Sequence, residues 1–146
     1  MKVEGAYVFS APPEQVWALL MDPENLRTCI PGVQTLTETA PDHWDAVLKV
    51  GVGTIRGTYK STVAIVEKSE PTAYTLQVQG TGGPGFVKGT ARITLEPDGD
   101  SATRVSVDGD GQVGGTVAGV GQRMLGGVAK MLMNQFFECL KGKLPS

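Results

Sequence analysis

Apolar residues recur at three- and four-residue spacing near the end of the chain, over about residues 117–141. This spacing places them on one face of an amphipathic helix, opposite a polar face. The sequence therefore predicts one long C-terminal helix. Its apolar face consists of Gly121, Leu125, Val128, Leu132, Phe136 and Cys139, and its polar face of Arg123, Lys130, Asn134, Glu138 and Lys141.

Ahead of this helix, apolar and polar positions alternate, which predicts antiparallel strands with one dry and one wet face. Residues 2–10 form the first strand, and two short helices with proline at their first position follow it. These helices cover Pro13–Met21 and Pro23–Cys29, with Asp22 as the N-cap of the second. Six more strands are predicted at residues 33–38, 44–50, 53–67, 74–80, 87–95 and 103–113.

The dry faces of three strands can be assigned from this alternation. They are Ile55, Gly57, Tyr59, Ser61, Val63 and Ile65; Val87, Gly89, Ala91, Ile93 and Leu95; and Val105, Val107, Gly109, Gly111 and Val113. Together with Gly80, this places five glycines where a packed core favours larger side chains. The glycines either permit the sheet to curve or leave a cavity for an apolar ligand beneath the helix.

The predicted turns differ between the two ends of the sheet. The turns at one end carry acidic side chains, whereas those at the other are rich in glycine and proline and uncharged. The uncharged end indicates either the mouth of a ligand cavity or turns that simply require glycine. The residues assigned to this mouth are Ile30, Gly83, Pro84, Gly85 and Val117.

Composition limits the chemistry. The 13 basic and 15 acidic residues give a net charge of −2, which is not the basic footprint of a nucleic-acid-binding protein. His43 is the only histidine and lies in a polar turn, so neither catalytic residues nor a metal site are predicted. Cys29 and Cys139 are too few for a disulfide framework and indicate a reduced, cytoplasmic setting. Neither a signal peptide nor a membrane-spanning segment is expected.

Five segments resemble the CoxG family, the G subunits of carbon monoxide dehydrogenases. They are Asp-Pro-Glu-Asn-Leu at residues 22–26, Cys-Ile-Pro-Gly-Val at 29–33, Gly-Thr-Ile-Arg-Gly-Thr-Tyr at 53–59, Gly-Gly-Pro-Gly-Phe-Val-Lys-Gly at 82–89, and Gln-Val-Gly-Gly at 112–115. The order of elements is similar to the helix-grip fold of the START/Bet v 1-like superfamily. This resemblance implies a single α+β domain over residues 1–146, in which a curved antiparallel seven-stranded sheet wraps around the long helix.

The resemblance also implies a function. Members of this family are accessory proteins, not catalysts, and their partner is a molybdenum hydroxylase-type dehydrogenase. They act at the inner face of the cytoplasmic membrane, in transient peripheral contact with it. The implied ligand is a lipophilic quinone such as menaquinone, with no tightly bound cofactor. Two alternatives stay open: a polyketide cyclase-like enzyme acting on a hydrophobic substrate, and a docking module without ligand.

A quinone agrees with the residue pattern, because burying tail carbon in an uncharged cavity gains ~0.8 kcal/mol per CH₂. The cavity is expected between the long helix and the dry face of the sheet. Tyr59 is the expected hydroxyl that orients a polar head group. The predicted walls are Trp17, Leu20, Tyr59, Phe86, Leu125, Val128 and Leu132.

Overall fold

The computed structural model describes residues 1–51, 56–83, 85–115, 118–119 and 121–144. These residues form seven strands and three helices. In chain order they are β1 (Lys2–Phe9), α1 (Pro13–Met21), α2 (Pro23–Cys29), β2 (Val33–Ala40), β3 (His43–Val50), β4 (Gly57–Ser69), β5 (Ala73–Gly82), β6 (Gly85–Pro97), β7 (Thr103–Gly114) and α3 (Gln122–Lys141).

All seven strands belong to one antiparallel sheet with the order β1-β7-β6-β5-β4-β3-β2. Strands β2 to β7 form a meander, and β1 pairs with β7. The predicted alternation is confirmed in β4, where Tyr59, Ser61 and Ile65 are buried while Lys60 and Thr62 are exposed. The predicted helix-grip architecture is therefore present, with α3 against the dry face.

The starts of the two short helices follow local chemistry. Proline occupies the first position of each, where its missing N–H removes no helical hydrogen bond. At the start of α2, the Asp22 carboxylate accepts a hydrogen bond of 2.9 Å from the backbone N–H of Glu24. This confirms the predicted N-cap and satisfies one of the free amides of the first turn.

The long helix begins later than its apolar spacing predicted. The structure starts α3 at Gln122, whereas the prediction extended it back to residue 117. Gly121 has a φ of +97°, which a right-handed helix cannot use, so the helix begins directly after it. Of the predicted third strand, residues 53–55 lie outside the described part of the chain.

The packed core fills one part of the space between sheet and helices. Helix α1, the second half of α3 and the dry face of the sheet meet there. The Phe137 ring stacks on Tyr7 with 4.3 Å between centroids, which fixes α3 on β1. Buried members of this core are Tyr7, Phe9, Val16, Trp17, Leu20, Leu36, Trp44, Ile65, Tyr74, Ile93, Leu95, Val105, Phe137 and Leu140.

A disulfide bond joins Cys29 at the end of α2 to Cys139 near the end of α3. The two Cα atoms are 5.4 Å apart, within the range that a disulfide requires. The expectation of two reduced cysteines is therefore wrong for this structure. The cysteines are 110 residues apart in sequence, and only the packing of α2 against α3 brings them together.

Among the described residues, no helix combines the length and apolar character needed to cross a bilayer.

Candidate ligand cavity

A cavity of about 210 Å³ lies between the first half of α3 and the dry face of the sheet. It is located toward the glycine-rich end, where β3 ends at Val50 and β7 approaches its end at Val113. The expected hollow beneath α3 is therefore present. Its walls are Met1, Leu48, Val50, Tyr59, Ser61, Val78, Gly80, Val87, Val113, Leu125, Val128, Ala129 and Leu132.

The cavity has one wall on α3 and one on the sheet, and each follows the residue spacing of its element. On α3, the lining residues Leu125, Val128, Ala129 and Leu132 are spaced by three and four positions and share one helical face. On the sheet, lining residues are two apart, as with Tyr59 and Ser61 on β4. Apart from Met1, which precedes β1, the described walls are residues of strands and of α3, so short-range patterns build most of the cavity.

Two hydroxyls are the polar side-chain groups of this wall. Ser61 is buried, and its register partner on β5 is Gly80. A Cβ at Gly80 would lie 2.9 Å from the Ser61 Oγ, so the glycine leaves room for the hydroxyl. Tyr59 is also buried, and burial raises the pKa of its phenol above the usual value near 10. Tyr59 is therefore protonated at neutral pH.

The cavity suits an uncharged ligand. Its described walls contain no Asp, Glu, His, Lys or Arg side chain, and an unpaired ligand charge there would lose its hydration without gaining a partner. The described residues also contain no group of three or more His, Cys, Asp or Glu side chains that could hold a metal ion. The surface that the described walls expose to the cavity is almost entirely apolar, so the chemistry that they offer is apolar contact.

The volume limits what can be enclosed. A cavity of about 150 Å³ holds a benzene ring, and pockets for drug-sized ligands occupy about 300–1,000 Å³. The volume of about 210 Å³ here therefore fits one substituted ring or a short aliphatic segment. The expected enclosed tunnel for a long isoprenoid tail does not exist within the described walls.

Four of the seven predicted wall residues line the cavity: Tyr59, Leu125, Val128 and Leu132. Trp17 and Leu20 do not, and their prediction as cavity walls needs correction. Both belong to the packed core, where the Trp17 ring meets Tyr74 edge to face with 5.6 Å between centroids. Helix α1 therefore fills the interior next to the cavity and does not border it.

Phe86 also lies outside the cavity. It is 45% exposed and projects from the wet face of β6, beside Thr81 on β5 and Gly114 on β7. Side chains alternate along a strand, and Val87 faces inward, so Phe86 must face outward. The prediction of Phe86 as a wall residue was therefore wrong. It also conflicted with strand alternation, which places Val87 on the dry face and its neighbour Phe86 on the wet face.

None of the described residues among the predicted mouth residues lines the cavity. Ile30 follows α2. Gly83 lies in the β5–β6 connection, and Gly85 is the first residue of β6, two positions before the lining residue Val87. Pro84 and Val117 lie outside the described residues.

Several lining residues were not assigned to the walls from sequence. Ser61, Val87 and Val113 were on predicted dry faces. The same alternation, applied to β3 and β5, would have assigned further residues of these strands to the cavity wall. Met1 had no such signal, because its place depends on the pairing of β1 with β7. The full set of missed wall residues is Met1, Leu48, Val50, Ser61, Val78, Gly80, Val87, Val113 and Ala129.

A family model for the G subunit of carbon monoxide dehydrogenase (CoxG) matches residues 5–145, nearly the whole chain. The chain belongs to the CoxG family. The family name implies association with carbon monoxide dehydrogenase, which agrees with an accessory role. No curated protein sequence gives a significant match.

Solved structures agree with this assignment. A conserved protein from Geobacillus kaustophilus is 37% identical, with a TM-score of 0.95 over 98% of this chain and 94% of that one. A START superfamily protein from Mycobacterium smegmatis is 17% identical, with a TM-score of 0.75 over 97% and 95% of the two chains. An aromatase/cyclase from Streptomyces sp. R1128 is 14% identical, with a TM-score of 0.71 over 98% and 92%. The last two similarities establish the START-like fold alone.

Proposed function

We propose that this CoxG-family protein is a non-catalytic accessory protein that binds a quinone, such as menaquinone, for a molybdenum-containing carbon monoxide dehydrogenase-type oxidoreductase. The observation that carries the proposal is the cavity of about 210 Å³, whose described walls are apolar except for the hydroxyls of Tyr59 and Ser61. A quinone ring is neutral and needs only hydrogen-bond donors for its carbonyls.

In this proposal the fused ring system of the quinone head group occupies the cavity of about 210 Å³. The isoprenoid tail leaves at the glycine-rich end and stays in contact with apolar surface or with lipid. The protein then couples the dehydrogenase to the cytoplasmic membrane, in peripheral contact with its inner face. Oxidation of carbon monoxide with water to carbon dioxide releases two electrons and two protons, and these reduce the quinone to the quinol.

Filling the cavity tests the proposal. Ala129 lines the cavity on α3, so Ala129→Phe should place a ring where the ligand ring would lie. Ala18→Phe is the matched control, because Ala18 is exposed on α1 and outside the cavity. Organic extracts and native mass spectra of the purified wild type and control should contain a bound quinone, and Ala129→Phe should lack it.

The same proteins decide the coupling step. Vesicles containing menaquinone are mixed with a purified molybdenum-containing carbon monoxide dehydrogenase, and quinol formation is followed after carbon monoxide is added. Wild type and Ala18→Phe should accelerate quinol formation, whereas Ala129→Phe should not. If no lipophilic molecule co-purifies and none binds on titration, the ligand proposal is wrong. Binding without acceleration would refute the coupling role alone.

A further inference from the structure

The wet face of the sheet carries an open groove at the glycine-rich end, here called the lysine groove. Its volume is about 290 Å³, and exposed side chains of β4, β5 and β6 line it. Gly80 and Val87 border both this groove and the cavity, so the two lie on opposite sides of the same strands. The other lining residues of the lysine groove are Lys60, Thr62, Gln79, Thr81, Phe86 and Lys88.

Lys60 and Lys88 are cations without an acidic partner in the described part of the chain. Neither takes part in any of the ion pairs that the described residues form. The residues across from them on the neighbouring strands are all uncharged, namely Val47, Thr81, Gln79 and Gln112. Only β5 lies between the two lysines, so their backbones are about 10 Å apart. The groove therefore presents two uncompensated positive charges close together.

Charge is distributed unevenly between the two ends of the sheet. The connections at the glycine-rich end, residues 51–56, 83–84 and 115–121, contain no acidic residue. The turns at the opposite end contain Asp42, Glu70, Asp98 and Asp100. A negatively charged surface is therefore attracted by the lysine groove and repelled by the opposite end, which fixes the direction in which the protein approaches it.

Phe86 adds an apolar contact to these charges. It lies two positions before Lys88 on the same face of β6 and is 45% exposed. Its ring lies over Gly114, in the space that a side chain at that position would fill. Covering this glycine explains where the ring lies, but the ring remains nearly half exposed. An exposed aromatic ring beside lysines suits the surface of a bilayer, where the ring contacts acyl carbon and the ammonium groups contact phosphates.

We propose that the lysine groove docks the protein on an anionic bilayer. Lys60 and Lys88 contact lipid phosphates, and the Phe86 ring enters the boundary between head groups and acyl chains. The inference rests on the proposed function for the role of the membrane. It adds the surface that makes the contact and the lipid charge that this surface requires. In this orientation the end of the sheet that borders the cavity lies at the lipid surface.

Vesicle binding tests the lysine groove without any quinone. The protein is sedimented with vesicles of equal parts phosphatidylglycerol and phosphatidylcholine, or of phosphatidylcholine alone. Wild type should bind the anionic vesicles about tenfold or more tightly than the neutral ones, because each lysine at such a surface contributes about fivefold. Lys60→Gln/Lys88→Gln should lose this preference, and Lys60→Arg/Lys88→Arg, which keeps both charges, should retain it.

The matched control removes the same charge elsewhere. Arg104 is exposed near the start of β7, and Lys143 is exposed after the end of α3, both away from the lysine groove. Arg104→Gln/Lys143→Gln should therefore bind anionic vesicles as wild type does. An equal loss in both glutamine variants would indicate an effect of net charge alone and would overturn the proposal.

Tryptophan fluorescence tests the insertion of residue 86. Trp17 and Trp44 are buried, so the variant Phe86→Trp adds one exposed indole. Its emission should shift to shorter wavelength on anionic vesicles, and lipids with brominated acyl chains should quench it. Val8→Trp is the matched control, because Val8 is 43% exposed on β1, near the opposite end of the sheet. No shift for Phe86→Trp, or an equal shift for Val8→Trp, would contradict the docking surface.

The outcomes separate this inference from the proposed ligand. Quinone binding by a protein that does not bind anionic vesicles would refute the docking surface alone. Vesicle binding through the lysine groove by a protein that binds no quinone would confirm the docking surface and refute the ligand. If wild type ignores vesicles but Lys60→Gln/Lys88→Gln loses binding to a purified carbon monoxide dehydrogenase, the groove contacts a protein and the lipid proposal is wrong.

Discussion

Ser61, one of the residues of the cavity wall, has room for its hydroxyl because the residue opposite it has no side chain. Gly80 faces it across β4 and β5, and any larger residue there would have to displace the Ser61 hydroxyl. Tyr59, two positions along the same strand face, supplies a second hydroxyl at the same wall. If the Ser61 hydroxyl turns toward the ligand, we expect it to favour an uncharged acceptor such as a ring carbonyl.

Ser61→Ala tests this discrimination. The variant keeps the shape of the wall and removes one donor, so menadione should bind about three- to tenfold more weakly, the value of one hydrogen bond. The matched ligand is 2-methylnaphthalene, which has the same ring system without carbonyls and should bind both proteins equally. Isothermal titration calorimetry gives the affinities. An equal loss for both ligands would indicate a packing effect and contradict the hydrogen bond.

For the candidate site, the sequence was least reliable in predicting which side chains face the cavity. Strand alternation identified Tyr59, and helical spacing identified Leu125, Val128 and Leu132, because both patterns act over a few residues. Phe86 was misplaced when its size was given more weight than its parity on β6. Trp17 was misplaced because its partner Tyr74 is 57 positions away on another element, and that contact follows from tertiary packing.

At the scale of elements, the pattern predicted strands and short helices well. Local signals determine them: alternation for the strands, and proline with an aspartate cap for α2. The start of α3 was missed because Gly121 sits within the apolar spacing, yet its positive φ places it before the helix. The volume of the cavity could not be read from the sequence, because it depends on how far α3 lies from the sheet.

The disulfide bond between α2 and α3 should make a measurable contribution to the free energy of unfolding. A disulfide limits the freedom of the unfolded chain, and this one closes a loop across a sequence separation of 110. Cys29→Ser/Cys139→Ser should lower the free energy of unfolding by about 2–4 kcal/mol, measured by urea unfolding. A reducing agent should destabilise wild type similarly and leave the double variant unchanged. Two free thiols in unreduced, unfolded wild type would contradict the bond.

At the scale of the whole molecule, the interior divides into a packed part and a hollow part. The packed part contains the large side chains of α1, β1 and the second half of α3. The hollow part lies under the first half of α3 and is bordered mainly by Val and Leu residues, with Gly80 as the one glycine among its described walls. Stability should therefore come mainly from the packed part, and ligand binding should depend mainly on the hollow part.

The pH dependence of unfolding provides a test of the packed part. Tyr74 is buried against Trp17, and burial raises the pKa of its phenol well above the usual value near 10. Above about pH 10 the unfolded chain loses this proton while the folded protein retains it. The unfolded state then binds fewer protons, so the free energy of unfolding falls as pH rises, and the stabilising contribution of the neutral phenol is lost progressively toward the folded pKa.

The fall attributable to Tyr74 should be absent below about pH 9 and should approach about 1.4 kcal/mol per pH unit, the value for one proton, once the pH is about one unit above the pKa of the unfolded phenol. Tyr74→Phe cannot ionise at this position, so its unfolding free energy should fall by about 1 kcal/mol less than that of wild type between about pH 10 and pH 11. Lysines titrate in the same range in both proteins and cancel in the difference. Ser61→Ala, which changes the hollow part without removing an ionisable group, should keep the wild-type slope. If Tyr74→Phe shows the same dependence of unfolding free energy on pH as wild type, the packed core does not hold the phenol neutral. The assignment of Tyr74 to a packed part of the interior is then wrong.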